Sequence, residues 1–593
     1  MPRLHGFTKK DILNVFEKMV LARKLDEKMI TLLKQGKSFF HMGSSGHEAA
    51  QLAAAYAMHS GKDWVFPYYR DAALCIALGM TSRDHLLSFL ARADDPSSGG
   101  RQMPHHYGYK NLRIVSQSSS TGTQFLQALG CALACKKEKA KEIVYVSAGE
   151  GTTSQGDYHE ALNWASLAKA PVVFHIQDNE YAISTHKSEQ SSNSVYAMAS
   201  GYKNLARFEV DGTDFFETNL AFKQAVERGR RGKGPSLVVS NVVRLMSHSS
   251  SDDQRKYRSI TSLNKDKNRD PISILKNQCL KENFISLNEL NEIETNVDKQ
   301  VNLDSDWAEA KDHPEANTAL DYIYDNKIYN YETNFNSISD KIVMVDAINH
   351  ALNEEMQRNN KMVIYGQDVS DPKGGVFTAT KGLSDEFGKD RVFNSPLAES
   401  SIIGTAIGMA VAGYKPVVEI QFGDYIWTAM MQLRNEVATM RYRSNNNWYC
   451  PMVIRVTVGG YIHGGLCHSQ SIDGYFMHMP GIYLVYPSNA ADAKGLLKMA
   501  CQMNDPVLFM EHKGLYRQGF CMTEEPGKDY FLPFGKANVI TQGSDVSIIT
   551  WGAMVQKSLD AINSEQLPEG IAEIIDLRTL NPLDINTITK SIR

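Results

Sequence analysis

At 593 residues the chain exceeds what one hydrophobic core organises, so several domains are expected. An apolar fraction of 42% with a formal net charge of −4 describes an ordinary globular protein, and it supplies neither the basic surface that nucleic acid requires nor a membrane-directed one. Eight cysteines lack paired spacing, and Cys131 and Cys135 fall inside a helical pattern; this argues against a disulfide frame or zinc module and predicts a cytoplasmic setting.

Residues 9–28 mix charges in a helical register without the apolar centre of a signal peptide, and no apolar run reaches the ~20 residues that span a bilayer. From residue 1 to about 290, helical periods alternate with short apolar runs at 143–148, 171–176 and 236–243, the pattern of a parallel sheet covered by helices. Residues 283–311 turn polar and acidic in a helical register, and 312–340, rich in Asn, Asp and Tyr, reads as a linker. Alternation restarts after Lys341 with apolar runs at 362–365, 416–420, 452–456, 482–486 and 507–510, a second α/β domain. A third unit, from 534, has strand-like runs at 546–550 and 571–577 around a helix. Residues 584–593 then open a helix with no strand after it, so this unit is expected to be incomplete, with an unpaired edge.

The run 143–148 breaks at Gly149-Glu150-Gly151, and the run 171–176 ends at Gln177-Asp178-Asn179. If the two are neighbouring parallel strands joined by a helix over 157–168, Glu150 and Asn179 emerge together at the strands' carboxyl ends, where ligands bind in open α/β sheets. One carboxylate and one amide oxygen suit a hard octahedral cation that keeps sites for diphosphate oxygens. A metal bridge to a diphosphate cofactor is therefore expected. Two readings compete with it. Gly149, Gly151 and Gly156 could form a nicotinamide-dinucleotide turn, although Ser154 stands where that fingerprint needs its third glycine. The segment could also be a strand–helix turn with no ligand.

Other polar clusters interrupt the pattern: Tyr68-Tyr69-Arg70-Asp71, residues 100–108 (GRQMPHHYG), and residues 246–253 (MSHSSSDD) with Tyr257-Arg258-Ser259 after them. In the second half, Asn394-Ser395-Pro396-Leu397 precedes Glu399, which opens an apolar, small-residue helix over 402–412. Phe422-Gly423-Asp424-Tyr425, residues 464–470 (GGLCHSQ) and Pro480-Gly481 follow. Read alone, His248 is a solvated loop histidine and Glu399 a helix-start charge worth under about 1 kcal/mol.

Together these segments resemble the decarboxylating component of the 2-oxoacid dehydrogenases, of the branched-chain 2-oxoisovalerate type. Residues from about 10 to 290 resemble its alpha subunit and 341–593 its beta subunit, as if the two were fused. The Gly149–Asn179 spacing matches the thiamine diphosphate signature of that family, with Glu150 for its usual Asp and Asp178 for its first Asn. The resemblance implies two thiamine-diphosphate-binding, doubly wound parallel-sheet α/β domains in tandem, plus a partial transketolase C-terminal-like α/β domain. The boundaries become 1–311, a linker at 312–340, 341–525, and an incomplete 534–593.

The implied cofactors are thiamine diphosphate and Mg2+. Glu150, Asn179 and the backbone carbonyl of Tyr181 would hold the metal, Tyr69 and Arg70 the diphosphate, with Ser119, Gly149 and Gly151 around it. His248 would stand by the thiazolium ring, and Ser118, Ser120, Thr123 and Gln124 match a loop that holds K+ in relatives. Glu399 would donate a proton to the aminopyrimidine ring, and a carboxyl enclosed by apolar helix would keep that proton near neutrality. Tyr425 would line the cavity, and His468 would serve reductive acylation of a lipoyl group. The implied reaction is oxidative decarboxylation of a 2-oxoacid, passing the acyl group to a lipoyl-bearing dihydrolipoyl acyltransferase, in a homodimer of fused chains. Pyruvate and acetoin enzymes of the same family are alternatives. So is a thiamine-binding scaffold that has lost catalysis, which would have no physical need for titratable groups at these positions.

Overall fold

The protein is described by a computed structural model covering residues 3–327, 329, 331–565, 568 and 570–593; Ile328 and Asn330, in the predicted linker, lie outside the described residues. The chain divides into two compact units, Met1–Asp321 with Tyr442–Trp448, and Tyr322–Arg441 with Tyr449–Arg593.

In the first unit, strands Trp64–Phe66 (β1), Val144–Gly149 (β2), Val172–Asp178 (β3), Ala206–Asp211 (β4) and Ser236–Asn241 (β5) form one sheet of order β1-β2-β3-β5-β4, parallel throughout. All seven residues of β3 are buried, as a parallel strand covered on both faces requires. Sequence patterning finds β2, β3 and β5 but not β1, which has three residues, or β4, whose sequence ARFEVD buries only Val210. Helix Lys9–Lys34 (α1) starts at a capping box in which Thr8 and Asp11 satisfy each other's backbone N–H groups. Gly156–Ala168 (α2) is the crossover from β2 to β3. Leu287–Glu309 (α3), opened by the Ser286/Glu289 capping box, packs along α1. Gly149 pairs with Gln177 across β2 and β3, so Glu150 and Asn179 leave adjacent strand tips close together.

The second unit repeats the plan. Met362–Gly366 (β6), Val392–Asn394 (β7), Lys415–Ile420 (β8), Val453–Val458 (β9), Tyr483–Val485 (β10) and Val507–His512 (β11) run parallel in the order β7-β6-β8-β9-β11-β10. Met344–Arg358 (α4) and Ala490–Gln502 (α6) pack on each other, and Glu399–Val411 (α5) joins β7 to β8. Asn538–Thr541 (β12), Val546–Thr550 (β13) and Ala572–Asp576 (β14) make a small sheet of order β12-β14-β13, with Ala553–Ser564 (α7) and Ile585–Ile592 (α8). Thr579–Asn581 (β15) leaves that region and adds an antiparallel edge to β10. One stretch departs from the linker expectation. Ser337–Ile342 is a strand, antiparallel to Thr523–Pro526, with its side chains exposed except for half-buried Ile342; no buried apolar face holds it, so no apolar pattern announces it.

All eight cysteines are free thiols, and only Cys467 is exposed. Among the described residues, no helix is long and apolar enough to cross a membrane. Inside the second sheet, Arg455 on β9 donates to Glu511 through Nε (2.7 Å) and Nη2 (2.8 Å) and to Glu419 through Nη1 (2.7 Å), all three buried. Arg455→Met leaves two buried carboxylates without their cation, and we expect a loss of about 3–5 kcal/mol in urea unfolding of the second unit.

Candidate functional site

Five candidate side chains of the first unit follow a strand at its carboxyl end: Tyr69 and Arg70 after β1, Glu150 after β2, Asn179 after β3, His248 after β5. Tyr69, Arg70, Ser119, Gly149, Glu150, Gly151, Asn179, Tyr181 and His248 all line one cavity of about 380 Å³. A Cβ at Gly151 would sit 2.6 Å from the Ala182 Cβ, so only glycine lets the 181–183 segment approach the β2 tip.

Glu150 is buried, and one of its oxygens, Oε2, accepts the Asn179 backbone N–H at 3.2 Å. The other, Oε1, is buried without a hydrogen-bond partner. Burial, and then the neighbouring Asp178 charge, push this carboxyl up to about 7. An unsatisfied buried carboxylate oxygen is costly unless something positive meets it. Among the described residues no group of three or more His, Cys, Asp or Glu side chains could hold a metal alone. One carboxylate, one amide and a backbone carbonyl suit instead a hard cation that takes its remaining oxygens from phosphate and water. The donor set therefore fits the expected group.

Arg70 is buried and donates through Nη1 to the Gly43 carbonyl and through Nη2 to the His248 carbonyl and Nδ1, both 3.3 Å. Burial and the Arg70 charge push His248 down to about 4, so it is neutral beside the guanidinium. Asp252 holds the His248 loop: it accepts the His248 N–H (2.9 Å) and the Tyr257 hydroxyl (2.6 Å), and that hydroxyl accepts from Arg244 (2.7 Å). Asp253 does something else, pairing with exposed Arg255. Ser118 and Ser120 precede a helix, Thr123–Lys137, which Thr123 and Gln124 open: Thr123 Oγ1 donates to the Ser120 carbonyl (3.0 Å), and Gln124 Nε2 donates to the Ser147 carbonyl on β2 (3.1 Å).

Several lining residues escape sequence reasoning. Met42, Met103, His106, Thr121, Thr152, Gln155, Ala182 and Ile183 also face the cavity. His106 Nδ1 donates to the Met103 carbonyl (3.0 Å), which leaves Nε2 to accept from Ser119 Oγ (2.7 Å). The GRQMPHHYG segment carries these two residues, and its Pro and paired His were the available signal. Gly156 has open space around it, with no atom closer to a built Cβ than Glu160 Oε1 at 3.9 Å, so the close backbone approach of a dinucleotide turn is not what this glycine serves.

The second unit's candidates also sit at strand ends: Glu399 after β7, Tyr425 after β8 and His468 after β9. Glu399 Oε1 accepts from Gln367 Nε2 (3.1 Å) and Oε2 from Thr428 Oγ1 (3.3 Å). This differs from the expected apolar enclosure, because residues 400–410 of α5 turn inward whereas Glu399, in the first turn, stays half-buried among polar neighbours. His468 Nδ1 donates to the Gly464 carbonyl (3.2 Å), so Nε2 accepts the Tyr425 hydroxyl (2.8 Å), and the Phe422 ring stands edge-on to the imidazole. The Tyr425 carbonyl, 3.1 Å from Thr428 Oγ1, is the alternative acceptor for the same hydroxyl proton.

Residues 17–317 match the family described as "Dehydrogenase E1 component". The chain belongs to that family. Residues 340–518 match the "Transketolase, pyrimidine binding domain" and 535–593 the "Transketolase, C-terminal domain". The 2-oxoisovalerate dehydrogenase subunit alpha of Bacillus subtilis is 40% identical over 324 residues, 54% of this chain and 97% of that one. Subunit beta of the same enzyme is 47% identical over 247 residues, 42% of this chain and 75% of that one. The pyruvate dehydrogenase E1 component subunit beta of Bacillus subtilis is 45% identical over 252 residues, covering 42% and 77%. Alpha-like and beta-like E1 sequences thus follow one another in a single 2-oxoacid dehydrogenase E1 chain.

Proposed function

We propose that this E1 chain decarboxylates a branched-chain 2-oxoacid of the 2-oxoisovalerate type, using thiamine diphosphate and Mg2+, and transfers the acyl group to the lipoyl group of a dihydrolipoyl acyltransferase. The observation that carries this reading is the single cavity in which a partnerless buried Glu150 oxygen, Asn179, Arg70 and His248 converge. When bound, thiamine diphosphate supplies the carbon nucleophile and electron sink that decarboxylation of a 2-oxoacid needs.

The chain's own residues do the rest. Glu150, Asn179 and the Tyr181 carbonyl hold the cation, Arg70 and Tyr69 the diphosphate, and Ser119, Gly149 and Gly151 shape the cavity around it; the 118–124 loop is assigned K+. His248, neutral beside Arg70, offers a hydrogen bond without adding charge. Glu399 exchanges a proton with the aminopyrimidine ring, oriented by Gln367 and Thr428. Tyr425 donates to His468 Nε2, the atom assigned to acyl transfer, and so holds the imidazole with its lone pair at that atom. Domain limits of 1–311, 341–525 and 534–593, joined by the 312–340 linker, a homodimer of fused chains and a cytoplasmic setting belong to the same reading, the last supported by the eight free thiols.

Met42, Met103, Ala182 and Ile183 give the cavity an apolar wall, which favours a branched chain over the methyl of pyruvate. One methylene in such a pocket is worth roughly 10- to 200-fold in kcat/KM. With an artificial electron acceptor, 2-oxoisovalerate is therefore expected to be preferred over pyruvate by about tenfold or more, with acetoin inactive. A clear preference for pyruvate or acetoin overturns the substrate assignment. Binding of cofactor and Mg2+ with no carbon dioxide from any 2-oxoacid marks a silent scaffold instead.

A further inference from the structure

Behind the Glu150–Asn179 tips lies a buried polar chain that neither half of the proposed chemistry uses. Asp71, His47 and Gln177 are fully buried. Gln177 Nε2 donates to Asp71 Oδ1 (2.7 Å), while the Ser147 hydroxyl and the Tyr68 backbone N–H (3.3 Å) donate to Asp71 Oδ2. That fixes which end of the Gln177 amide is oxygen, and Gln177 Oε1 accepts from His47 Nδ1 (2.8 Å) and from Gln51 Nε2 (3.0 Å). With its proton on Nδ1, His47 has only a lone pair on Nε2. Asn179 Nδ2 approaches that lone pair at 3.4 Å, and Asn179 Oδ1 accepts the Tyr181 N–H at 3.2 Å.

We propose that His47 is a positioning residue for Asn179: the Asp71–Gln177–His47 chain dictates that the NH2 of Asn179 turns to the imidazole, so that its amide oxygen is the atom offered to a cation. The inference rests on the reading of Glu150 and Asn179 as cation ligands. A flipped amide would set an oxygen against the His47 lone pair and an NH2 against the Tyr181 N–H, two repulsive contacts in place of two hydrogen bonds. Residue 177 is thereby explained as well. An amide is needed there because it must donate to a carboxylate at one end and accept from an imidazole at the other, which an arginine, a donor only, does not do. Outer partners that orient a metal ligand typically contribute 10- to 100-fold to metal affinity.

The test is calorimetric titration of Mg2+ into the full chain saturated with thiamine diphosphate, which reads metal affinity without turnover. His47→Asn keeps a donor at the Nδ1 position but is too short to reach Asn179; His47→Gln places an acceptor near the Nε2 position. His47→Asn is expected to weaken Mg2+ binding about 10- to 100-fold, and His47→Gln to restore it to within about threefold of the native affinity. In the Asn179→Asp background, where both side-chain atoms are oxygens and a flip changes nothing, His47→Asn should no longer weaken binding. Gln177→Met, which removes the group that sets the imidazole tautomer, provides a second probe and should follow His47→Asn in both backgrounds. Equal weakening in both backgrounds, or none in the native one, overturns the proposal. Native protein that binds thiamine diphosphate without any dependence on Mg2+ overturns both this inference and the reading beneath it, whereas Mg2+-dependent binding that His47→Asn leaves unchanged overturns the inference alone.

Discussion

Glu399→Gln is expected to lower 2-oxoacid turnover by about 100- to 10,000-fold while leaving Mg2+-dependent binding of thiamine diphosphate intact, as befits loss of a proton-transfer group. The substitution is close to isosteric. Its retained oxygen still accepts from Gln367 Nε2, and Thr428, whose hydroxyl donates to the carboxylate at 3.3 Å, can rotate to accept from the new NH2 instead. The fold therefore has no reason to fail, and what disappears is only the exchangeable carboxyl proton. Glu399 belongs to the second unit, whereas the residues proposed to hold the cation and diphosphate belong to the first, so kcat and cofactor affinity should separate cleanly. Steady-state turnover of 2-oxoisovalerate, measured beside calorimetric cofactor binding, checks both halves of the expectation. Turnover within about tenfold of native would remove Glu399 from proton transfer and return it to the role of a helix-start charge.

The strand tips were the legible part of this protein. Parallel strands buried on both faces write themselves as continuous apolar runs, as β2, β3 and β9 do, and the polar residue that ends such a run falls where ligands bind. Glu150 and Asn179 are of this kind, whereas Tyr425 and His468 stand five and ten residues beyond the ends of β8 and β9 and were legible only through the family resemblance. Three-residue β1 and β7 are too short for a period, and β4 alternates too weakly. The helpers were illegible for a different reason. His47 stands before an alanine-rich helix and His106 in a Gly- and Pro-flanked loop, where a histidine usually reads as solvated. Their meaning lies in partners such as Gln177, 130 residues away in the case of His47. Glu399 is a different case, since its bare reading as a helix-start charge places it correctly in the first turn. The resemblance implied a carboxyl enclosed by apolar helix, yet Glu399, in the first turn, meets polar partners that follow two other strands, Gln367 after β6 and Thr428 after β8.

Glu150→Gln should abolish Mg2+-dependent cofactor binding and, in the same protein, raise the stability of the cofactor-free form. The sign follows from the proton. The Glu150 carboxyl titrates near 4.5 when unfolded and is pushed up to about 7 in the fold, by burial and by Asp178. Below 4.5 it is neutral in both states and contributes no penalty. Between 4.5 and about 7 the folded protein keeps a proton that the unfolded chain releases, so stability falls as pH rises, and above about 7 the whole cost of burying the charge is present. Carrying the group over that interval costs the ionised form roughly 3 kcal/mol. Gln at this position stays neutral, so at about pH 8 the cofactor-free variant should melt a few degrees above the native chain, the difference vanishing as pH falls through the same window. Asp71, also pushed up to about 7 by burial, adds its own pH dependence to both proteins and cancels in the comparison. On the proposed reading, a cation would meet the partnerless Oε1 in place of the proton and should bind less tightly as pH drops below about 7. Thermal melts of the two cofactor-free proteins across pH decide the matter. A Gln variant no more stable than native at high pH would mean that Glu150 already has a counter-charge in the fold, and the cavity would lose the electrostatic reason for holding a metal.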